Sequence, residues 1–290
     1  QCCLASSEEE TRALAWAVAQ GREGRRVLAV ATKPMGDAVS YLPAQEAHGF
    51  TLQGLVSFKD PIKASTSEAI KNAQTLGVTV KILTGDSAEV AGAVAKSIGL
   101  LKDEENVMTG AAFEALKQDE RLEAARTHHV FARVSPEQKH AVIQALEQQY
   151  EVGFLGEGIN DAPALKAANV GIVVQGASDV AREAADVVLL QQSLEVIVSG
   201  IREGREVFAN TLKYIKATLA SNFGNFYAVA ISSFLIPSLP MLPIQILLLN
   251  LLSDFPMIAI ATDTVDAQEL HRPRSYQVRD IITFATALGL

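Results

Sequence analysis

Three short stretches of the sequence set hydroxyl, amide, cationic and carboxylate groups where a phosphate could bind. In the first, Thr84-Gly85-Asp86-Ser87 follows an apolar run over 78–83 and opens a helix. A hydroxyl, a glycine amide and the free N–H groups of a helix start together favour an anion. An ordinary turn with a helix N-cap is the other reading of these residues. In the second, Arg133 ends an apolar run and Lys139 falls in the first turns of the next helix. A cation there opposes the helix dipole unless an anion faces it, the alternative being a solvated surface lysine. The third stretch is Gly156-Glu157-Gly158-Ile159-Asn160-Asp161-Ala162-Pro163. Its carboxylates, Glu157 and Asp161, suggest Mg²⁺, which takes few protein oxygens and fills its shell with phosphate and water. Asp161 could instead simply cap the following helix.

The elements that must position these groups follow from periodicity. Short apolar runs at 52–58, 78–83, 129–133, 151–155, 170–174 and 186–190 read as strands. Helical patterns lie between them at 64–76, 87–99, 135–148, 160–168 and 178–185, with another near 111–117. Such alternation predicts an α/β domain with a parallel sheet covered by helices, in which ligands bind at the carboxyl ends of the strands. All three stretches sit at such ends. Upstream, a helix over Glu8–Gln20 leads to a strand over Val27–Ala31, with Trp16 expected to pack as a core aromatic.

Beyond Ser193 a long amphipathic helix is expected, and from Ala217 to Ser253 no charged residue occurs. Spans at 217–236 and 244–262, joined by a turn containing Pro237, Pro240 and Pro243, match the roughly 20 residues that cross a bilayer. The run from 281 reads as the start of a third span. Lys213 and Lys216 before the hairpin and Arg272, Arg274 and Arg279 after it put both ends on the cytoplasmic side by the positive-inside rule. An integral membrane protein with a cytoplasmic soluble part, in contact with a lipid bilayer, is the resulting expectation.

Polar groups inside such spans need a reason. Asn222 and Asn225 share one face of the first span, and Asn250 and Asp254 one face of the second. Counted inward from Lys216 and from Asp263, Asn225 and Asp254 both lie about 13 Å deep. Pro256 would free the Leu252 carbonyl. These oxygens make a cage for a hard cation, and the absence of Cys and His from both spans disfavours soft metals. Hydrogen bonding between helices is an alternative for the asparagines.

Composition limits the function classes. A hydrophobic fraction of 49% and a mean hydropathy of +0.18 are high for a wholly soluble protein. The formal net charge of -8, with no basic cluster, excludes a nucleic-acid partner. Cys2 and Cys3 read as ordinary reduced thiols. The polar start, with Gln1 in place of Met, offers no signal peptide, and the sequence reads as cut at both ends.

The runs LTGD (83–86), FARVSPEQK (131–139), GEGINDAPALKAANVGI (156–172) and AREAADVVLL (181–190) resemble the P-type cation-transporting ATPases. Asp60-Pro61 resembles that family's hinge motif, with Ile62 where a second proline is common. The resemblance implies a haloacid-dehalogenase-like (Rossmannoid) phosphorylation domain over 51–200, a remnant of the nucleotide-binding domain over 1–50, and stalk and membrane segments over 201–290. It also implies ATP as substrate, Mg²⁺ as cofactor and a location in the plasma membrane. Thr84 and Gly85 would contact the phosphoryl group, Asp86 would help hold the nucleotide, Arg133 would lie near ATP, and Lys139 would neutralise phosphoryl charge. Asn160 and Asp161 would complete the phosphate and Mg²⁺ site.

Two departures stand out. No Asp-Lys-Thr-Gly-Thr motif occurs, so the acceptor aspartate is expected in a missing N-terminal part of the same pump. Glu157 stands where the family has a Mg²⁺-ligating aspartate, which lengthens that ligand by one methylene. SNFGN (221–225) and LPMLPIQILLLNLLSD (239–254) look most like the magnesium-transporting branch, although the Asn-x-x-x-Asp spacing also recurs in calcium pumps. A soluble phosphatase of the same superfamily and a non-catalytic membrane regulatory fragment are the rival readings.

Overall fold

The computed structural model describes residues 3–4, 7–34, 49–102 and 106–289. Two compact units emerge: residues 1–71 with 79–194, and residues 72–78 with 195–290.

In the first unit, strand β1 (Cys3–Leu4), helix α1 (Ser7–Arg22) and strands β2 (Arg25–Thr32) and β3 (Phe50–Lys59) come first. β2 runs antiparallel to β3 from Arg25↔Lys59 to Thr32↔Thr51, and β1 joins β3 in parallel. The strand expected at 52–58 is therefore present but belongs to this mixed sheet rather than to the parallel one. Its alternating half-buried and exposed residues pair with a neighbouring strand that lies upstream in sequence. Trp16 is 39% exposed, so the expected core aromatic faces solvent in part. The reading of the two cysteines concerns side chains outside the described residues.

After helix α2 (Thr66–Thr75) the chain alternates strands and helices: β4 (Ile82–Leu83), α3 (Ala88–Ser97), β5 (Val107–Thr109), α4 (Gly110–Glu114), α5 (Gln118–Thr127), β6 (Val130–Ala132) and α6 (Pro136–Glu147). There follow β7 (Gly153–Gly156), a 3-10 turn over Ile159–Asp161, α7 (Ala162–Ala167), β8 (Val170–Val174), α8 (Asp179–Ala184) and β9 (Val187–Leu189). Every pairing in this region is parallel, in the orders β4-β6-β5 and β7-β8-β9. β4 is shorter than the expected 78–83, and β5 and α5 were not foreseen.

Alternation along β6 builds the core. Val130 and Ala132 join Ile70, Ala91 and Ile98 on one face, whereas Phe131 joins Phe113, Val142 and Leu146 on the other. The Phe113 and Phe131 rings meet edge to face at 5.7 Å. Ile143, Ala164 and Leu165 carry the burial on to β7 and β8, so the strand ends that hold the candidate groups stand on packed supports.

In the second unit α9 (Leu194–Leu235) is one continuous helix of 42 residues, which merges the expected stalk and first span. A turn then leads to α10 (Pro243–Ile258), extended by a 3-10 turn over Ala259–Thr262, and α11 (Val278–Gly289) follows. Pro243 takes the first turn of α10, where its missing N–H costs nothing, and Pro256 lies inside the helix. Among the described residues, Pro243–Thr262 is the helix long and apolar enough to cross a membrane, with a mean hydropathy of 1.8 and none of it buried. The expected first span is helical but does not reach that hydropathy, because Ser221, Asn222, Asn225, Ser232 and Ser233 dilute its apolar residues. The expected start of a third span is α11, which buries Ile281 and Ala285 and brings Gly289 against Gly224. A Cβ at Gly289 would stand 2.9 Å from the Gly224 nitrogen, so only glycine permits this approach.

Candidate functional site

The candidate phosphate groups are joined by hydrogen bonds from loop to loop. Ser87 caps α3 by accepting from the Val90 N–H, which leaves Thr84 and Gly85 in the strand-to-helix corner. The Thr84 hydroxyl donates to Asp86 Oδ2 at 3.1 Å and accepts from the Asp86 N–H at 3.1 Å. Space over Gly85 is open, with nothing within 4 Å of where a Cβ would stand.

The second corner is bonded to the first. The chain turns at Arg133 with φ 51, in the left-handed region that non-glycine residues rarely adopt. That turn lets the Arg133 N–H donate to the Asp86 carbonyl at 2.8 Å and the Val134 N–H to the Thr84 carbonyl at 3.1 Å. Ser135 then caps α6 in a reciprocal box with Gln138, and Pro136 fixes the first turn. This capping aims Lys139 at the third corner, while the Arg133 side chain remains exposed.

Lys139 Nζ donates to Asp161 Oδ1 at 2.7 Å, with side-chain exposures of only 16% and 15%. Asp161 Oδ2 accepts the N–H groups of Glu157 and Gly158, each at 3.2 Å. The simple capping reading of Asp161 is not what the structure shows, since its carboxylate binds backward to the loop and makes no cap bond to α7. Burial alone would raise the Asp161 pKa. The Lys139 and amide donors outweigh it and hold the carboxyl below its ordinary value. Gly156 makes this arrangement possible, because a Cβ there would come within 2.8 Å of the Asp161 Cβ.

Glu157 and Asn160 are exposed at the lip of the third corner, and Ser178 anchors the loop by donating its N–H to the Glu157 carbonyl at 3.0 Å. Among the described residues no cluster of three His, Cys, Asp or Glu side chains could hold a metal by itself. Mg²⁺ needs only one or two carboxylates when phosphate and water supply the rest. The Asp161 carboxylate, with about four lone-pair positions and three donors, keeps one free, and the exposed Glu157 offers a second. The donor set fits that limited role.

One residue escaped the sequence reading. Arg26 on β2 donates to Asp86 Oδ2 at 2.8 Å, and that bond raises the guanidinium pKa further. No motif signals it. The doublet Arg25-Arg26 at the start of an apolar strand was the one available hint.

The second unit gathers the other candidates. Asn225 Nδ2 donates to Asn250 Oδ1 at 3.2 Å across α9 and α10. Beside this bond, Asn222, Asn250 and Asp254 line a cleft of about 310 Å³ together with Tyr214, Thr218, Ser221, Ser253 and Met257. Helical spacing explains both stripes: 214, 218, 221, 222 and 225 share one face of α9, as 250, 253, 254 and 257 share one of α10. Thr218 was not anticipated, nor were Tyr214, Ser221 and Ser253, although the spacing of these three from the asparagines would have exposed them.

Comparison with known proteins finds relatives over most of the chain. The sequence profile of the haloacid dehalogenase-like hydrolases matches residues 12–169. A magnesium-transporting ATPase, P-type 1, of Escherichia coli K12 is 45% identical over 276 residues, covering 92% of this chain and 30% of that protein. Its counterpart in Salmonella typhimurium LT2 is 44% identical over the same share. A probable cation-transporting ATPase F of Mycobacterium tuberculosis H37Rv is 39% identical over 229 residues, covering 77% of this chain and 25% of that protein. The chain thus spans less than a third of the length of these relatives.

Proposed function

Because the chain belongs to the haloacid dehalogenase-like hydrolase family, we propose that it is part of an ATP-driven P-type pump that moves a hard cation, Mg²⁺ first, across a membrane. In this reading an aspartate elsewhere in the longer protein accepts the γ-phosphoryl group. The soluble unit then lies in the cytoplasm, and Pro243–Thr262 spans the plasma membrane as one of several helices.

Each residue has a derivable task. The exposed Gly85 turn leaves room for phosphoryl oxygens, and the Thr84 hydroxyl would turn its single proton from Asp86 Oδ2 toward them when charge develops. Lys139, already aligned by its pair with Asp161, offers its remaining N–H groups to the same oxygens. Asp86 positions the Thr84 hydroxyl and keeps Arg26 beside the corner, where a nucleotide phosphate would compete for that guanidinium. Asn160 and Arg133 are both exposed and would be free to meet the nucleotide. Mg²⁺ held by Asp161 and Glu157 would neutralise charge between the phosphoryl oxygens.

The observation that carries the transport half is the carboxylate of Asp254 in a cleft whose lining contains amides and hydroxyls but no basic residue. A carboxylate in lipid is costly unless a cation, a proton or a partner compensates it. In the complete protein, Asp254→Asn should raise the free Mg²⁺ needed for half-maximal ATP hydrolysis at constant MgATP by about tenfold or more, the scale of a charge-assisted contact. Asn250→Ala should act in the same direction, more weakly. A wild-type Mg²⁺ dependence in Asp254→Asn would refute the cation site.

A further inference from the structure

Hydroxyl groups on the helices of the second unit commonly bond back to the preceding turn. Thr211, Ser233, Ser253 and Thr283 each donate to the carbonyl four residues earlier. Thr218 does not. Its hydroxyl oxygen is buried and lacks a partner among the described residues, while its side chain lines the Asp254 cleft. A buried hydroxyl without a partner lowers stability, and a threonine in a helix can ordinarily relieve this by back-bonding. Leaving the group unpaired here calls for a ligand in the cleft.

Its position suggests which one. Thr218 lies one turn before Asn222, about 6 Å along α9. Continuing in that direction, α9 reaches Lys213, whose Nζ donates to Asp263 Oδ2 at 2.7 Å and to the Thr264 carbonyl at 3.0 Å. Met257 extends the same seam on α10, one turn beyond Asp254. The polar cleft therefore runs from the Asn225–Asn250 bond toward the Lys213–Asp263 pair. Pairing with Asp263 largely neutralises Lys213, so a cation approaching along this seam meets little repulsion.

Building on the reading of Asp254 as a cation ligand, we infer that Thr218 is a staging ligand on the path between the Lys213–Asp263 end of the seam and Asp254. Mg²⁺ gives up its water reluctantly, so the hydroxyl acts through a metal-bound water, accepting a hydrogen bond from it. Thr218 is thus a positioning residue for the moving ion, separate from the asparagines and carboxylate that hold it.

The test titrates free Mg²⁺ at constant MgATP in the complete protein in native membranes, with Thr218→Val, Thr218→Ser and Asp254→Asn in parallel. Thr218→Val keeps shape and removes the hydroxyl; it should raise the half-maximal Mg²⁺ about tenfold at little-changed kcat, with Thr218→Ser within about twofold of wild type. The thermal midpoint of Thr218→Val should be unchanged or higher, since an unpaired buried polar group has been removed. A wild-type Mg²⁺ dependence in Thr218→Val, with Asp254→Asn shifted, would overturn this inference alone. A shift in Thr218→Val that comes with a lowered midpoint and is not rescued by serine would overturn it as well. No effect in Asp254→Asn would remove the cation site on which it rests.

Discussion

Asp161 accepts from three donors, Lys139 and the Glu157 and Gly158 amides, and this bears on how the first unit responds to acid. Its folded pKa is depressed below the ordinary 3.8, so its contribution to stability is fully present above that value. The contribution is lost as pH falls through the lower folded value, because the proton displaces the Lys139 and amide donors. Asp161→Asn should therefore lower stability at neutral pH by about 1 kcal/mol and flatten the acid decline below roughly pH 4, read as thermal midpoint against pH. An unchanged acid limb would mean that another carboxylate controls it. If Glu157 holds Mg²⁺ as proposed, Glu157→Asp in the complete protein should lower the Mg²⁺ needed for phosphorylation severalfold by shortening the side chain. An identical titration would show that Glu157 does not touch the metal. The hydrogen-bonded proximity of Thr84, Asp86, Lys139, Glu157 and Asp161 was legible in the sequence because each falls in the loop or first helical turn that follows a strand of the parallel sheets. Arg26 and Thr218 were not, since one reaches its partner from a distant strand and the other is distinguished only by a bond it does not make.

Short capped turns hold the corners in place, so element-scale substitutions should act on geometry rather than on chemistry. Gly156→Ala would push a methyl group to within 2.8 Å of the Asp161 Cβ, against backbone held by the Gly158 and Glu157 amides. The expected cost is about 1–3 kcal/mol of stability together with a weakened Lys139–Asp161 pair, measured by denaturant unfolding and by the acid limb described above. Stability and acid limb both at wild-type values would show that the loop yields freely. The parallel strands other than the three-residue β5 were readable from their apolar runs, whereas α5 and the pairing of β3 were not. α5, with the sequence QDERLEAART, has only a short apolar face, Ala124 and Ala125, which pack in the core while the Lys117 N–H bonds to the Glu120 carboxylate at its start. β3 has the alternation of any half-buried strand, and nothing local in it reveals that its partner is antiparallel.

At the scale of the whole molecule, two of the three strands that lead into the candidate corners are paired on one side only. β4, which runs into Thr84, and β7, which runs into Glu157, are edge strands among the described residues. Parallel strands are normally buried within a sheet, and an open edge is a template for another strand. In the reading proposed above, these open edges leave room for a further strand beside Thr84 and Asp161. The most direct measurement incubates the complete protein and, separately, residues 1–290 with γ-labelled ATP and Mg²⁺, then maps acid-stable, hydroxylamine-labile label by peptide sequencing. The expected result is label on one aspartate outside residues 1–290 in the complete protein and none on the 290-residue chain. Label on any aspartate between residues 50 and 200, or no label on the complete protein, would contradict it.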